Sequence, residues 1–363
     1  MPFGSVTCFE RTLRGLAFAA ALVLPVASQA GEVRFNGEGH AENPAWSKDG
    51  KYLAFEVNRF EGDIDMYFAE MNGDISKDSM QVKLPGASSG FSSSDQVVMD
   101  ATWHQDGIAV FEGSNKGGQL RLYYAAPGGS VAAEMLPTTK APGGLSFPTI
   151  SPDGNSLAFI SDQTGNGDVR TWDRSTDNLN QLTATPVSES FPSYSADGKK
   201  LLFTRKENNS LSIYQEDIAT KSEKQLASGA GDETRPVYAA DGSIVFFSAG
   251  KTEGHWDLKA INGDGSNLHM LAEGIRLPIR ARPALTPDGK WVAFAYDDPT
   301  KANKIVLETI DGSKTIEVPS KYVACGEPAI GLQNGRILLA YTALPSADAD
   351  WRFLDVVDIT DKF

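Results

Sequence analysis

The chain is short of cysteine, histidine and positive charge. Cys8 and Cys325 are its only cysteines in 363 residues. Cys8 lies before the apolar run of the N-terminal leader described below, which excludes a lipoprotein acceptor. Once that leader is removed one thiol remains, so no internal disulfide can form even in an oxidising compartment. A lone cysteine of this kind reads as a small buried hydrophobe. Lys and Arg number 33 against 47 Asp and Glu, a formal net charge of −14. Acidity keeps an exported protein soluble and argues against nucleic acid, whose phosphates need Lys and Arg. The four histidines, His40, His104, His255 and His269, occupy unrelated positions in the pattern below and read as satisfied surface or core residues. They do not offer the clustered ligands of a metal enzyme. Past residue 30 no apolar run is long enough to cross a bilayer, and no membrane span is expected.

Residues 1–30 read as a secretory signal. Arg11 and Arg14 charge its start, Leu16 to Ala27 is the apolar core, and Ser28-Gln29-Ala30 is a small-x-small cleavage site. The mature protein is then residues 31–363, soluble and periplasmic.

What the mature chain has in abundance is a repeated turn. Asp-Gly recurs at Asp49-Gly50, Asp106-Gly107, Asp153-Gly154, Asp197-Gly198, Asp241-Gly242 and Asp288-Gly289, with Asn334-Gly335 as a seventh copy. A period in the forties of residues signals a propeller or an array. Each copy has the same surroundings. A face-sharing apolar pair follows the turn: Leu53/Phe55, Ala109/Phe111, Leu157/Phe159, Leu201/Phe203, Ile244/Phe246, Val292/Phe294 and Ile337/Leu339. Residues two apart share one face of a strand. An apolar residue precedes the turn: Trp46, Trp103, Ile150, Tyr194, Tyr238, Leu285 and Ile330. Upstream of it stands a proline in every copy but the second, where Ala101 takes its place. Third strands follow, and fourth strands centre on Leu84, Leu136, Leu182, Leu226, Leu271 and Val318. The seventh copy has no fourth strand of its own. Glu32 to Asn36 alternates like a strand and is expected to complete it, pairing the two chain ends and removing an open edge. The expected fold is all-β: a single β-propeller over 31–363, with seven blades of four antiparallel strands, closed by the N-terminal strand.

The blocks Phe147 to Gly154, F-P-T-I-S-P-D-G, and Arg282 to Gly289, R-P-A-L-T-P-D-G, resemble the WD40-like repeats of the TolB-like propeller family. The resemblance covers nearly all of the mature chain, without the N-terminal α/β domain of TolB itself and with seven repeats where TolB resembles six blades. It implies a bacterial periplasmic propeller that binds proteins, including peptidoglycan-associated lipoproteins. A part in the Tol–Pal system is left open by those two differences.

Several chemistries are excluded on local grounds. Gly86-Ala87-Ser88-Ser89-Gly90 spells G-x-S-x-G, but no helix pattern follows to strain and expose the serine. It lies in a Ser/Gly-rich insertion, residues 85–95, which reads as a tolerated surface loop or a partner loop. Asp162, Thr164, Asn166, Asp168 and Asp173 fall at EF-hand spacing, yet no helices flank them and the final ligand is not Glu. Gly250-Lys251-Thr252 lacks the upstream glycine of a phosphate loop. The sequence therefore supports no catalytic residue, no metal and no cofactor.

In this family the strand starting at the repeat proline lies nearest the axis. The residue before that proline should then ring one mouth of the channel. In order these are Asn43, Asp100, Phe147, Phe191, Arg235, Arg282 and Glu327. Two aromatics are adjacent, then two arginines, then polar and acidic residues. Such segregation suits recognition, with aromatic anchors beside a cationic fork. The two arginines could equally pair with local acids such as Glu233 and Glu327. The reading is a monomeric binding or scaffold module of the cell envelope that takes a protein or peptide partner at the mouth. The alternative is an enzyme sited in the channel, such as a carbohydrate lyase or lactonase, which paired carboxylates or histidines there would favour.

Overall fold

The computed structural model describes residues 31–35, 37–59, 62–71, 79–85, 96–115, 118–129, 131–227 and 231–363. The signal assigned to 1–30 and the G-x-S-x-G loop at 86–90 lie outside the described residues. Among those residues the chain is all-β, with one 3-10 turn, Thr360–Lys362, as its only helical element. No helix among them is long and apolar enough to cross a membrane.

Each repeat forms antiparallel strands in sequence order. Repeat 3 is representative: Leu145–Ile150, Ser156–Ser161, Asp168–Asp173 and Asn178–Gln181 lie side by side. Repeats 4, 5 and 6 each build a four-stranded sheet in the same order. Repeats 1 and 2 are joined into one eight-stranded sheet by a single parallel bridge, Ile64 to Val97. In the last sheet Gly31–Val33 pairs antiparallel with Phe353–Asp358, so a strand from the start of the described chain finishes the sheet begun by repeat 7. The strand expected at Glu32 to Asn36 thus begins one residue earlier and ends at Val33. Asn36 is not among the described residues.

The turns follow their residue types. In repeat 3 the Ser151 hydroxyl donates to Asp153 Oδ1 at 2.6 Å, and Asp153 Oδ1 also accepts from the Asn155 amide at 3.0 Å. Gly154 then adopts φ 76°, a conformation that costs a residue with a Cβ. The same Ser/Thr–Asp bond recurs at Ser47–Asp49, Ser195–Asp197 and Thr286–Asp288.

The core is partitioned between neighbouring repeats. Each apolar cluster draws on two consecutive repeats. Phe111 packs with Trp103, Ala54 and Phe68, and Phe203 with Ala158 and Tyr194. One cluster joins the first repeat to the last: Val33, Leu53, Phe55 and Tyr67 pack with Leu338, Leu354 and Val356. The pair following each turn fills these clusters. In repeat 7 the ladder pairs Leu339 with Ile330, as it pairs Leu53 with Trp46. The equivalents of Leu53/Phe55 there are Leu339 and Tyr341, not Ile337 and Leu339. The alternation holds, but this strand, Arg336–Leu344, starts earlier than its counterparts. A period of two cannot by itself tell which pair is central.

Candidate functional site

In six of the seven repeats the first strand is interrupted at the residue before the repeat proline, or before Ala101 in repeat 2. The ladder shifts register between Glu42 and Ala45, Met99 and Thr102, Ser146 and Thr149, Ser190 and Ser193, Thr234 and Val237, and Gly326 and Ala329. Proline cannot donate to a ladder, so a bulge is where the sheet tolerates it. The residue within each bulge takes a left-handed backbone: Asn43 (φ 48°), Asp100 (56°), Phe147 (53°), Phe191 (52°), Arg235 (56°) and Glu327 (44°). Such conformations are unfavourable for side chains with a Cβ and persist only where the surroundings hold them.

The surroundings are visible. A bulge frees a backbone N–H, and a neighbouring repeat's side chain takes it. The Asp100 amide donates to Glu56 Oε1 at 2.8 Å, the Phe147 amide to Glu112, the Arg235 amide to Thr204 Oγ1 at 3.1 Å, and the Asn43 amide to Glu327 Oε2 at 2.7 Å.

The ring residues do converge. Asn43, Asp100, Phe147, Phe191 and Arg282 line one cavity of about 310 Å³, together with Arg280. One half is acidic. Asn43 Nδ2 donates to Glu56 Oε1 at 2.6 Å and to Asp100 Oδ1 at 3.2 Å, with Glu42 and Glu112 buried close by. The other half is aromatic and cationic. Phe147 and Phe191 lie 4.3 Å apart between ring centroids. The guanidinium groups of Arg235 and Arg282 sit over the Phe191 ring at 5.0 and 5.8 Å. Burial pulls both guanidinium pKa values down to about 10, which leaves them charged at neutral pH.

Repeat 6 departs from the pattern. Its first strand is only Ala284–Leu285, and Arg282 has no left-handed backbone. Pro278 and Pro283 bracket residues that leave the ladder and line this cavity. Arg280 Nη1 meets Asp100 Oδ2 at 3.3 Å, and the Ile279 amide donates to Glu327 Oε1 at 2.9 Å. Arg235 donates to the carbonyl oxygens of Pro278 (2.6 Å), Ala281 (3.0 Å) and Ile279 (3.0 Å). Arg235 and Glu327 are therefore buried, at 8% and 3% exposure, and hold this strap instead of facing outward. Arg282 donates to the Pro192 carbonyl at 2.6 Å. The strap presents the Ile279 side chain, 49% exposed.

Sequence reasoning missed Glu42, Glu56, Glu112, Ile279 and Arg280. A Glu directly after the apolar pair of the second strand in repeats 1 and 2 was the available signal for Glu56 and Glu112, since the same place is Ile160 in repeat 3 and Thr204 in repeat 4. Nothing local foretold that residues 277–282 leave their sheet.

Burial raises Glu56 and Glu112 well above the usual carboxylate range, and the nearby Asp100 charge adds to it. Glu42 is pushed up to about 7, chiefly by burial and then by Glu327. Its ordinary value is 4.5, so the folded state holds that proton to higher pH than the unfolded chain. The stability contributed by the protonated form is complete below pH 4.5 and is lost as pH rises through 7. Urea titrations at pH 4.5 and pH 8 should show Glu42→Gln removing a pH-dependent loss of about 3 kcal/mol, at 1.36 kcal/mol per pKa unit.

The other chemistry-bearing residues lie apart. His40 Nδ1 receives the Arg352 amide at 3.3 Å, and His269 Nε2 sits 2.9 Å from the Ile310 carbonyl. In the EF-hand-like loop, Asp162 accepts the Gly144 amide at 2.5 Å and Asp168 accepts the Thr185 amide at 3.2 Å. Among the described residues no group of three or more His, Cys, Asp or Glu is arranged to hold a metal ion. Cys325 is free and buried.

The sequence profile described as the TolB beta propeller domain matches residues 103–276 and, in a second alignment, 138–334. Together these span more than half of the chain. No curated protein matches the sequence. Among solved structures, a putative TolB from Agrobacterium tumefaciens is similar at 19% identity, over 68% of this chain and 90% of that one, with a TM-score of 0.49. An oligogalacturonate lyase from Vibrio parahaemolyticus is similar at 11% identity, over 93% and 92%, with a TM-score of 0.58. A puromycin-hydrolyzing peptidase from Mycobacterium tuberculosis is similar at 13% identity, over 86% of this chain and 53% of that one, with a TM-score of 0.55. The lyase and peptidase likenesses are to the fold.

Proposed function

Because this chain belongs to the TolB beta propeller domain family, we propose that it is a periplasmic binding module that captures an envelope protein or peptide at the mouth of its channel. The scaffold in this reading is a seven-bladed ring, one blade per repeat, with Gly31–Val33 closing the seventh. The antiparallel pairing of Gly31–Val33 with Phe353–Asp358, and the cluster shared by repeats 1 and 7, support that closure. Residues 1–30 would direct export. The protein would act as a monomer, without cofactor or metal.

The observation that carries the binding role is the Phe147–Phe191–Arg282 group lining one cavity. Flat apolar rings beside a desolvated cation are the usual anchor of a protein interface. A partner's carboxylate, from an acidic loop or a chain terminus, would take the N–H groups of Arg282 that do not serve the Pro192 carbonyl, while apolar side chains meet Phe147 and Ile279. Asn43 and Asp100 would contribute from the opposite rim, with Arg235 and Glu327 holding the strap behind.

In-cell crosslinking followed by mass spectrometry tests this. Phe191→Ala combined with Arg282→Ala should abolish recovery of the partner taken by the wild type, each change costing about 2 kcal/mol or more of binding. Recovery at wild-type yield from a folded double variant would place binding elsewhere. The buried carboxyls Glu56 and Glu112 favour a second reading, in which the channel is an enzyme site for a carbohydrate and a raised-pKa carboxyl acts as general acid. In that case the wild type captures no protein, and Glu112→Gln removes turnover of a uronate oligomer.

A further inference from the structure

A second cavity lies between repeats 2 and 3, and its origin is a missing indole. Trp103 ends the first strand of repeat 2 and fills the wedge toward repeat 1. It is 3% exposed, stacks on Tyr52 at 6.4 Å and tilts against Phe68 at 5.3 Å. Its Nε1 donates to the Ala45 carbonyl at 2.9 Å. Trp46 does the equivalent against repeat 7, donating to Ala329 O at 3.1 Å. In repeat 3 this position is Ile150.

The ladders equate Ile108, Val110 and Tyr124 of repeat 2 with Tyr52, Ala54 and Phe68 of repeat 1. Those three residues and Ile150 line a cavity of about 280 Å³. Tyr124 is 38% exposed where Phe68 is 2%. The walls that clasp a tryptophan ring at one interface thus stand open at the next. Repeat 7 also has isoleucine here, Ile330, but the preceding repeat supplies Trp291, against which Phe363 sits edge-on at 5.4 Å.

The rim is polar. Trp172 and Arg174 border it beside His104. His104 Nε2 lies 3.0 Å from both the Gly154 carbonyl and Arg174 Nη1. One ring nitrogen cannot donate to the carbonyl and accept from the guanidinium at once, so one of these two groups is left short of a partner. Glu134 also borders the cavity, with its charge matched by Arg121 Nε at 3.0 Å. Arg174 is exposed and only its Nη1 faces His104, so its remaining N–H groups leave a cation available at the edge of this largely apolar space.

We propose that this cavity binds a small aromatic acid. The flat ring occupies the space that Trp103 fills one interface earlier, against Tyr124 and Ile150, and the carboxylate pairs with Arg174. The volume suits a ligand below drug size, and a guanidinium–carboxylate pair fixes its direction. The site shares no lining residue with the channel mouth, so it stands or falls independently of the binding role given to that mouth.

Calorimetric titration of the full mature chain with indole-3-acetate and with neutral 3-methylindole tests it. The wild type should bind indole-3-acetate at one site. Arg174→Ala should weaken the acid by about tenfold or more, since a charge-assisted pair is lost, and should leave 3-methylindole unchanged. Ile150→Trp, which restores the indole from within the chain, should abolish binding of both probes while the melting temperature holds or rises. Failure of the wild type to bind either probe in the millimolar range overturns the proposal. So does binding that survives in folded Ile150→Trp, or that is unaffected by Arg174→Ala; the latter variant alters an exposed side chain and decides the matter even if the former does not fold.

Discussion

A chain lacking residues 31–35 is expected to lose about 5 kcal/mol of stability or more, with aggregation as the companion effect. The segment does three things at once. Gly31 to Val33 pairs along Leu354 to Val356, so its removal bares the edge of an otherwise finished sheet. Val33, 2% exposed, sits in the cluster that joins repeats 1 and 7. Phe35 lies 6.0 Å from both Phe55 and Tyr67, with the Arg59 guanidinium over it at 5.8 Å. Loss of a fully buried aromatic costs about 3–5 kcal/mol; Phe35 is partly buried and contributes toward the lower end of that range, and the loss of buried Val33 and of the ladder bonds adds to it. Chemical denaturation and analytical ultracentrifugation read the two effects. An unchanged midpoint in a monomeric truncated protein would remove the seven-bladed closure from the proposal. Val33→Asp tests the same contact without shortening the chain, and should destabilise by burying an unpaired charge.

Arg235→Ala is expected to cost about 3–4 kcal/mol, far more than Arg282→Ala, although the two occupy equivalent places in the repeat. Arg235 is 8% exposed and serves three carbonyl oxygens of the strap. Alanine leaves those acceptors without a donor and opens a space under Phe191. Arg235→Lys should recover little, because one ammonium cannot reproduce a planar fork that reaches three oxygens. The strap should then loosen, which hydrogen exchange at the Ile279 amide would report as lost protection. Equal melting temperatures for Arg235→Ala and Arg282→Ala would mean that the strap does not depend on this residue. The contrast bears on binding too: a partner lost with Arg235→Ala is lost through the strap, whereas one lost with Arg282→Ala is lost through contact.

The all-β class and the repeat were legible because their causes are local. A Ser/Thr–Asp bond and a glycine at positive φ close each turn wherever those residues occur, and the alternation after it assigns faces. The ring of residues before the repeat proline was legible for the same reason: equivalent positions in equivalent strands come to equivalent places, and five of the seven line one cavity. What each ring residue does there depends on residues far along the chain. Arg235 is turned inward by carbonyls 43 to 46 positions away, and Glu327 by the amide of Ile279, 48 positions away. The departure of residues 277–282 from their sheet, the gathering of Glu42, Glu56 and Glu112 beside Asp100, and the cavity where Ile150 stands in for tryptophan are likewise products of one repeat packing on another. Local chemistry determined the repeating unit of this protein. Only tertiary structure decided which copies of that unit carry strain, buried charge or open space, because those arise from differences between neighbours that meet only in the folded chain.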